Sequence, residues 1–180
     1  MTRREIAAIV THVGFYAGWP KAWAVFNLAK EVWEVDEQAD QAIDAKAKHE
    51  ASMVFPIGAP NDAYAQYFIG QSYLAPVSTA QVGIFNVTFE PGCRNNWHNA
   101  KKGGGQILVC VAGRGYYQEC GKEAVELKPG DCINIPEGVK HWHGAAKDSW
   151  FSHLAVEVPG EDGTNEWLEA VTDEQYGILK

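Results

Sequence analysis

The sequence predicts a mainly β domain with the jelly-roll architecture of a double-stranded β-helix, preceded by an N-terminal helical hairpin. Three observations predict this fold class. Apolar residues recur at helical spacing near the N-terminus, short runs of β-branched residues dominate from Ser52 onward, and turns containing Pro or Gly separate those runs. The chain has 180 residues, 46% of them hydrophobic, which suffices for one substantial core.

The helical hairpin is predicted from two apolar faces. The first recurs at helical spacing between Ile6 and Val13. Gly18-Trp19-Pro20 ends this helix, and Pro20 suits the first turn of the next one. Residues 35–50 are charged and rich in alanine, and they either extend the second helix or form a linker. We therefore assign residues 1–50 to a helical segment with its linker and residues 51–180 to a β-barrel domain.

The β domain is predicted from its alternation of short strands and turns. Roughly eight or more short strands within about 110 residues suit a jelly roll. The turns fall at 90–92, 112–115 and 128–131. The predicted strands are 64–69, 82–89, 106–111, 115–120, 124–127, 132–135, 140–143 and 151–158.

Charge and cysteine usage exclude several classes of partner. The formal net charge is −8, which argues against nucleic acid and anionic membranes. The apolar-rich run from Ile6 to Ala29 contains Lys21 and Pro20 and makes a poor transmembrane helix. The cysteines form no C-x-x-C pair, so we expect free thiols. We therefore expect a soluble, cytoplasmic protein that acts on a small molecule.

Two stretches have the spacing of paired metal-ligand motifs. In Gly130–His143, GDCINIPEGVKHWH, the order is Gly, five residues, Pro136, one residue, Gly138, two residues and His141. In the earlier stretch, His98 follows Gly92 after five residues. The side-chain carbonyl of Gln106 lies seven residues before Gly113, the end of that stretch. Neutral imidazoles and a side-chain carbonyl are competent ligands for a divalent transition metal such as Mn, Fe, Ni or Zn.

This spacing resembles the two motifs of the cupin superfamily. The resemblance implies metal ligands at His98, Gln106 and His141. The family usually has His-x-His in the first motif, whereas this chain reads His98-Asn99-Ala100. For Gln106 a second interpretation stays open, in which its amide bonds the glycine-rich loop before it.

Two further histidines are candidates for proton transfer. Alternation along a strand places His141 and His143 on one face, towards the barrel interior. His153 shares a face with Phe151 on the last long strand. An imidazole titrates near neutrality, so His143 or His153 is a candidate general base; a structural role for each is the alternative.

The segments KHWHGA, FSHLAVE and VTDEQY look like small bacterial single-domain cupins that include manganese-dependent hydroxynitrile lyases. This resemblance covers most of residues 82–176. It implies that His141 binds metal and that His143 and His153 face the active-site pocket. The missing histidine at Ala100 is the point at which the chain departs from that group.

The N-terminal segment resembles part of the carboxymuconolactone decarboxylase family over about 33 residues. The shared signature, H-x3-YAG-x-P, begins at His12 and ends at Pro20. The acidic and His or Cys catalytic residues of that family lie on helices without a counterpart here. We therefore expect a packing or dimerisation module and a hydrogen-bonded structural role for His12.

The sequence is compatible with three functions. The first is a metal-dependent enzyme with lyase or isomerase chemistry on a small organic molecule. The second is a non-catalytic ligand-binding cupin with a degraded metal site. The third is a decarboxylase- or peroxidase-related activity, which the absence of a cysteine pair in the helices makes the weakest.

We also expect a homodimer or larger assembly, because a hairpin alone does not hide Trp19, Trp23, Phe26 and Trp33. Packing of these aromatic residues on their own barrel is an alternative.

Overall fold

The computed structural model describes residues 3–101, 104–160 and 164–179. The chain divides into two compact units, Met1–Lys48 and His49–Lys180. The first unit consists of helix α1, Arg3–Ala17, and most of helix α2, Trp19–Ala51. Gly18 separates the helices with φ 89°, a left-handed backbone that glycine adopts without a steric cost. The predicted break is confirmed, and residues 35–50 extend the helix.

The second unit contains the strands and a short C-terminal helix, α3, Asp173–Gly177. The strands are β1 Ala59–Pro60, β2 Phe68–Ile69, β3 Ser72–Ser78, β4 Ile84–Phe89, β5 Arg94–Asn95, β6 His98–Lys101, β7 Gln106–Gly113, β8 Gly115–Glu119, β9 Val125–Leu127, β10 Cys132–Ile135, β11 His141–Ala145, β12 Phe151–Glu157 and β13 Thr164–Trp167.

Two curled antiparallel sheets form a β-sandwich. One has the order β1-β3-β4-β12-β7-β10. The other has the order β13-β6-β11-β5-β2, and β8 joins it by pairing with both β11 and β9. Neighbours in each sheet come from distant parts of the chain, as β12 does between β4 and β7, which is typical of a jelly roll. The predicted fold class, a mainly β jelly roll after an N-terminal helical region, is confirmed.

One predicted strand is largely wrong. Residues 64–69 were expected to be extended, but Asp62–Tyr67 forms a 3₁₀ helix and only Phe68–Ile69 pairs as a strand. The amide of Tyr64 donates to the carbonyl of Asn61, so a local turn competes with the sheet. The unpredicted strand β3 contains Pro76, which lies beside a register irregularity where a missing amide is tolerated.

The main core fills the space between the two sheets. Its buried residues include Phe89, Leu108, Leu127 and Phe151. A second cluster, with Trp97, Trp142, Val171 and Tyr176, lies under the C-terminal segment.

The C-terminal segment is fixed by the buried guanidinium of Arg94. Arg94 donates to the carbonyl of Val171 and to the carboxylate of Asp173, and its guanidinium carbon lies 4.5 Å from the ring centre of Tyr176. The described residues include no helix that is long and apolar enough to cross a bilayer.

A buried polar chain fixes the last turn of α2. His49 Nε2 lies 2.8 Å from Ser152 Oγ, which lies 2.7 Å from Thr88 Oγ1. The ring of His49 stacks on Trp150 with centroids 5.6 Å apart. Burial lowers the pKa of His49 below its ordinary value of 6.5, so the neutral imidazole is the folded form.

We expect the free energy of unfolding to fall on acidification, by up to about 1.4 kcal/mol per pH unit from His49 alone. The folded pKa of His49 is lowered, so its contribution is complete above the unfolded value of 6.5 and is lost as the pH falls towards the folded pKa. Urea titrations of the wild type and of His49→Gln from about pH 8 to about pH 5 check this. Glutamine still reaches Ser152 but does not titrate; the same pH dependence in both proteins would contradict the expectation.

Candidate metal centre

Strands β6 and β11 bring three buried histidines together. His98 begins β6 and pairs with His141 at the start of β11. His143 follows on the same face of β11, as strand alternation predicts. The ring centroids of His98 and His141 are 4.1 Å apart, and those of His98 and His143 are 5.4 Å apart. One ring nitrogen from each lies within 4.8 Å of the others, so the three could share a metal ion.

Backbone carbonyls fix the tautomers of two of these histidines. Nδ1 of His98 lies 2.9 Å from the carbonyl oxygen of Asn96, and Nδ1 of His141 lies 2.8 Å from that of Val139. A carbonyl oxygen only accepts, so both Nδ1 atoms carry the proton. The Nε2 lone pairs of His98 and His141 are therefore free to bind a metal. This arrangement of a ligand held by a backbone acceptor recurs in metal sites.

Gln106 adds an oxygen that has no partner. It begins β7, and its side chain lies in the wall of the same cavity as His98 and His143. Its Oε1 atom is buried without a hydrogen-bond donor, as is Nε2 of His141. Leaving a buried acceptor unpaired is costly, and a cation is a partner that each of these two atoms can accept. The residues present therefore fit a divalent metal.

Burial keeps the histidines neutral. It lowers the pKa of His98 to about 3, with the neighbouring His141 as a further cause. The pKa of His141 is also lowered, chiefly by burial. The pKa of His143 is well below its ordinary value because of burial and then because of His153. Neutral imidazoles keep a lone pair available to a metal, whereas the lowered pKa makes each of them a weaker proton acceptor.

Two buried side chains hold His143. The amide of His143 donates to Asn95 Oδ1 at 2.9 Å, and Asn95 Nδ2 lies 3.0 Å from Nε2 of the ring. Nε2 of His153 lies 3.1 Å from Nδ1 of His143. His153 is fully buried on β12, and burial lowers its pKa to about 4. His153 therefore contacts the site through His143.

An apolar cavity of about 240 Å³ opens onto the histidines. The ring centroid of Trp167, on β13, lies 4.7 Å from that of His98. The ring of Tyr67 stacks on Trp167, with centroids 4.6 Å apart. Phe68 and Phe85 also line the cavity. A small molecule with an aromatic or aliphatic body would be held beside the imidazoles.

Comparison with known proteins agrees with this fold. The profile of the family described as cupin domain matches residues 85–157, which include all five histidine and glutamine candidates. (R)-mandelonitrile lyase from Granulicella tundricola is 40% identical over 116 residues, covering 62% of this chain and 87% of that protein. The crystal structure of a cupin-like protein from Thermotoga maritima superposes with a TM-score of 0.63 and 38% identity, over 68% of this chain and 93% of that one. The chain belongs to the cupin family.

The structure brings most of the predicted site residues close together. The cupin resemblance is confirmed. His98, Gln106 and His143 line one cavity, and His141 clusters with His98 and His143. The separate roles of these residues and of His153 stay predictions. Sequence reasoning missed Asn95 and Trp167, which reach the site through strand pairings that leave no local signal.

Proposed function

We propose that this cupin is a metal-dependent lyase acting on a small hydroxy compound, with an α-hydroxynitrile as the first substrate to test. One observation carries the proposal: three buried imidazoles cluster beside a cavity that is also lined by Gln106, whose amide oxygen has no partner. The relative named (R)-mandelonitrile lyase supports the choice of substrate. Isomerase chemistry on a similar compound would use the same groups.

The proposed metal ligands are Nε2 of His98, Nε2 of His141 and Oε1 of Gln106. The first two have their other ring nitrogen bound to a carbonyl, and the third has no partner within the described protein. Nitrogen and oxygen donors of this kind suit Mn, Fe, Ni or Zn in the divalent state. When bound, such an ion supplies a Lewis acid that polarises a substrate oxygen.

His143 is the proposed proton acceptor. Its ring is neutral, lines the cavity and is held by Asn95 and His153. Asn95 also binds the backbone amide of His143, so the strand and the ring are positioned together. His153, behind the ring, is proposed to orient it and to share the charge that it gains.

The proposed cleavage conserves atoms and electrons. The substrate hydroxyl replaces the Asn95 amide at Nε2 of His143, which takes the hydroxyl proton. The O–H electron pair becomes the second bond of the new carbonyl. The bond between the carbinol carbon and the nitrile carbon breaks, and cyanide leaves with its electron pair. Cyanide then takes the proton back from His143 and departs as hydrogen cyanide. The apolar wall, with Trp167 and Phe85, excludes water from this exchange.

We expect the metal-loaded protein to release benzaldehyde from (R)-mandelonitrile, and chelation to lower the rate by about 100-fold or more. The rise in benzaldehyde absorbance follows the reaction after loading with Mn²⁺, and separately with Fe²⁺, Ni²⁺ or Zn²⁺. His12→Ala, an exposed histidine of α1, is the matched control and should leave the rate unchanged. A metal-loaded protein no faster than buffer would contradict a lyase and favour the ligand-binding alternative.

For the N-terminal segment, residues 1–50, we propose an assembly role separate from the cupin domain at 51–180. Its resemblance to carboxymuconolactone decarboxylases supports a packing module. Trp19 and Trp23 are each 61% exposed, and a cavity beside them is lined by Val10 and Phe26. A homodimer or larger oligomer would cover this apolar surface. A light-scattering mass of a single chain would contradict the assembly role.

A further inference from the structure

A second cavity, of about 250 Å³, adjoins the candidate metal cavity. Three polar residues, Gln106, Glu157 and Asn165, line both cavities, and we call them the shared wall. Gln106 is the proposed metal ligand in this wall. The wall therefore places a charged side chain, Glu157, at the boundary between the metal cavity and its neighbour.

Glu157 gives this boundary a negative charge. Among the described residues that line the two cavities, it is the only carboxylate, and no lysine or arginine is among them. It ends β12 on the same face as Ala155, which lines the metal cavity two residues earlier. Its backbone pairs with that of Gln106 on β7, which fixes its distance from the proposed ligand. A ligand that spans the shared wall meets a carboxylate.

Gly83 leaves room for this carboxylate beside an aromatic ring. The amide of Glu157 donates to the carbonyl of Gly83 at 2.8 Å. A Cβ atom at Gly83 would lie 2.5 Å from Oε2 of Glu157 and 3.4 Å from Cε2 of Phe85. Because a real Cβ atom does not approach an oxygen that closely, any other residue at 83 would displace the carboxylate. The missing side chain at Gly83 therefore leaves the space that the carboxylate of Glu157 occupies.

We infer that the cavity selects small aromatic molecules carrying a cationic ammonium group, which Glu157 pairs with at the shared wall. A carboxylate neutralises the cation, and the faces of Phe85, Phe68 and Trp167 in the same cavity attract it as well. The inference goes beyond the proposed function: it rests on the same cavity but concerns the ligands that this cavity retains, and it does not require the α-hydroxynitrile to be the substrate. A neutral molecule of similar shape lacks the interaction with Glu157.

Binding of two probes to the full-length protein tests this selection. Benzyltrimethylammonium is cationic and has no lone pair to offer to a metal, and benzyl alcohol is the neutral probe. We expect Glu157→Gln to weaken binding of the cation about two- to fivefold, as for an exposed ion pair, and to leave benzyl alcohol unchanged. Ligand-observed NMR titration gives both dissociation constants. Glu123→Gln, an exposed glutamate outside both cavities, is the matched control and should change neither.

Two outcomes would overturn the inference. One is an unchanged affinity for benzyltrimethylammonium in Glu157→Gln. The other is an equal loss of affinity for both probes, which would show a change of cavity shape rather than of charge. The assay requires no turnover, so a protein that fails to cleave mandelonitrile can still show selection by Glu157. Conversely, cleavage of mandelonitrile without selection would leave the proposed function intact and the inference wrong.

Discussion

Replacing His141 by alanine is expected to lower the affinity for a divalent transition metal by at least about 100-fold, more than the loss of an outer-shell partner causes. The substitution removes an Nε2 atom that is buried, unpartnered and fixed in tautomer by Val139. A water molecule is a weaker ligand than an imidazole. The remaining ligands, on β6 and β7, are fixed by the sheets and cannot move to restore the lost bond. Competition titration with a chromophoric chelator measures the change.

Two further variants provide a control and a comparison for this change in metal affinity. His12→Ala should bind metal as the wild type does, because His12 lies on α1, in the other unit. Gln106→Ala should weaken binding less than His141→Ala, because an amide oxygen is a weaker donor than an imidazole. Unchanged metal affinity in a folded His141→Ala protein, with a native circular dichroism spectrum, would remove His141 from the site.

Replacing His143 by alanine is expected to reduce turnover of (R)-mandelonitrile by about 10²- to 10⁴-fold, the usual contribution of a positioned base. Metal affinity should change far less than in His141→Ala, because both ring nitrogens of His143 already face protein partners, Asn95 and His153. Measuring kcat and metal affinity on the same preparation separates the two roles.

A different pattern of metal affinity and turnover in His143→Ala would change the role assigned to His143. The ring nitrogens of His98, His141 and His143 lie close enough for a three-histidine site. If His143→Ala loses metal as fully as His141→Ala does, His143 is a ligand and the base lies elsewhere. If the variant keeps full turnover, His143 is neither. The turnover of His153→Ala should then be compared with that of His143→Ala, since His153 contacts the ring of His143.

Much of the site could be predicted from local patterns. The spacing from Gly130 to His141 places that histidine at the start of a strand, because Pro136 and Gly138 form the turn before it. Alternation then places His143 on the same face as His141. The Pro- and Gly-containing turns also separated most strands correctly, since those residues interrupt pairing wherever they occur.

The remaining parts depend on contacts between distant segments. Asn95 reaches His143 because β5 pairs with β11, and Trp167 covers His98 because β13 pairs with β6. Neither pairing has a signal in the residues themselves, which are polar or mixed and occupy short strands. The 3₁₀ helix at Asp62–Tyr67 was missed for a related reason, since a local turn at Asn61 prevails over its aromatic residues.

The residue at the missing histidine position of the first motif lies outside the described histidine cluster. Ala100 lies on β6 two residues after His98, and it lines the second cavity rather than the metal cavity. The third imidazole near the candidate metal position comes instead from His143, in the second motif.

Anomalous X-ray scattering from crystals soaked in Mn²⁺ tests the central claim, a metal site built from His98, Gln106 and His141, most directly. We predict one anomalous peak per chain, within bonding distance of Nε2 of His98, Nε2 of His141 and Oε1 of Gln106. A peak that is absent from these atoms at saturating Mn²⁺, and equally absent after soaking with Fe²⁺, Ni²⁺ or Zn²⁺, would contradict the account.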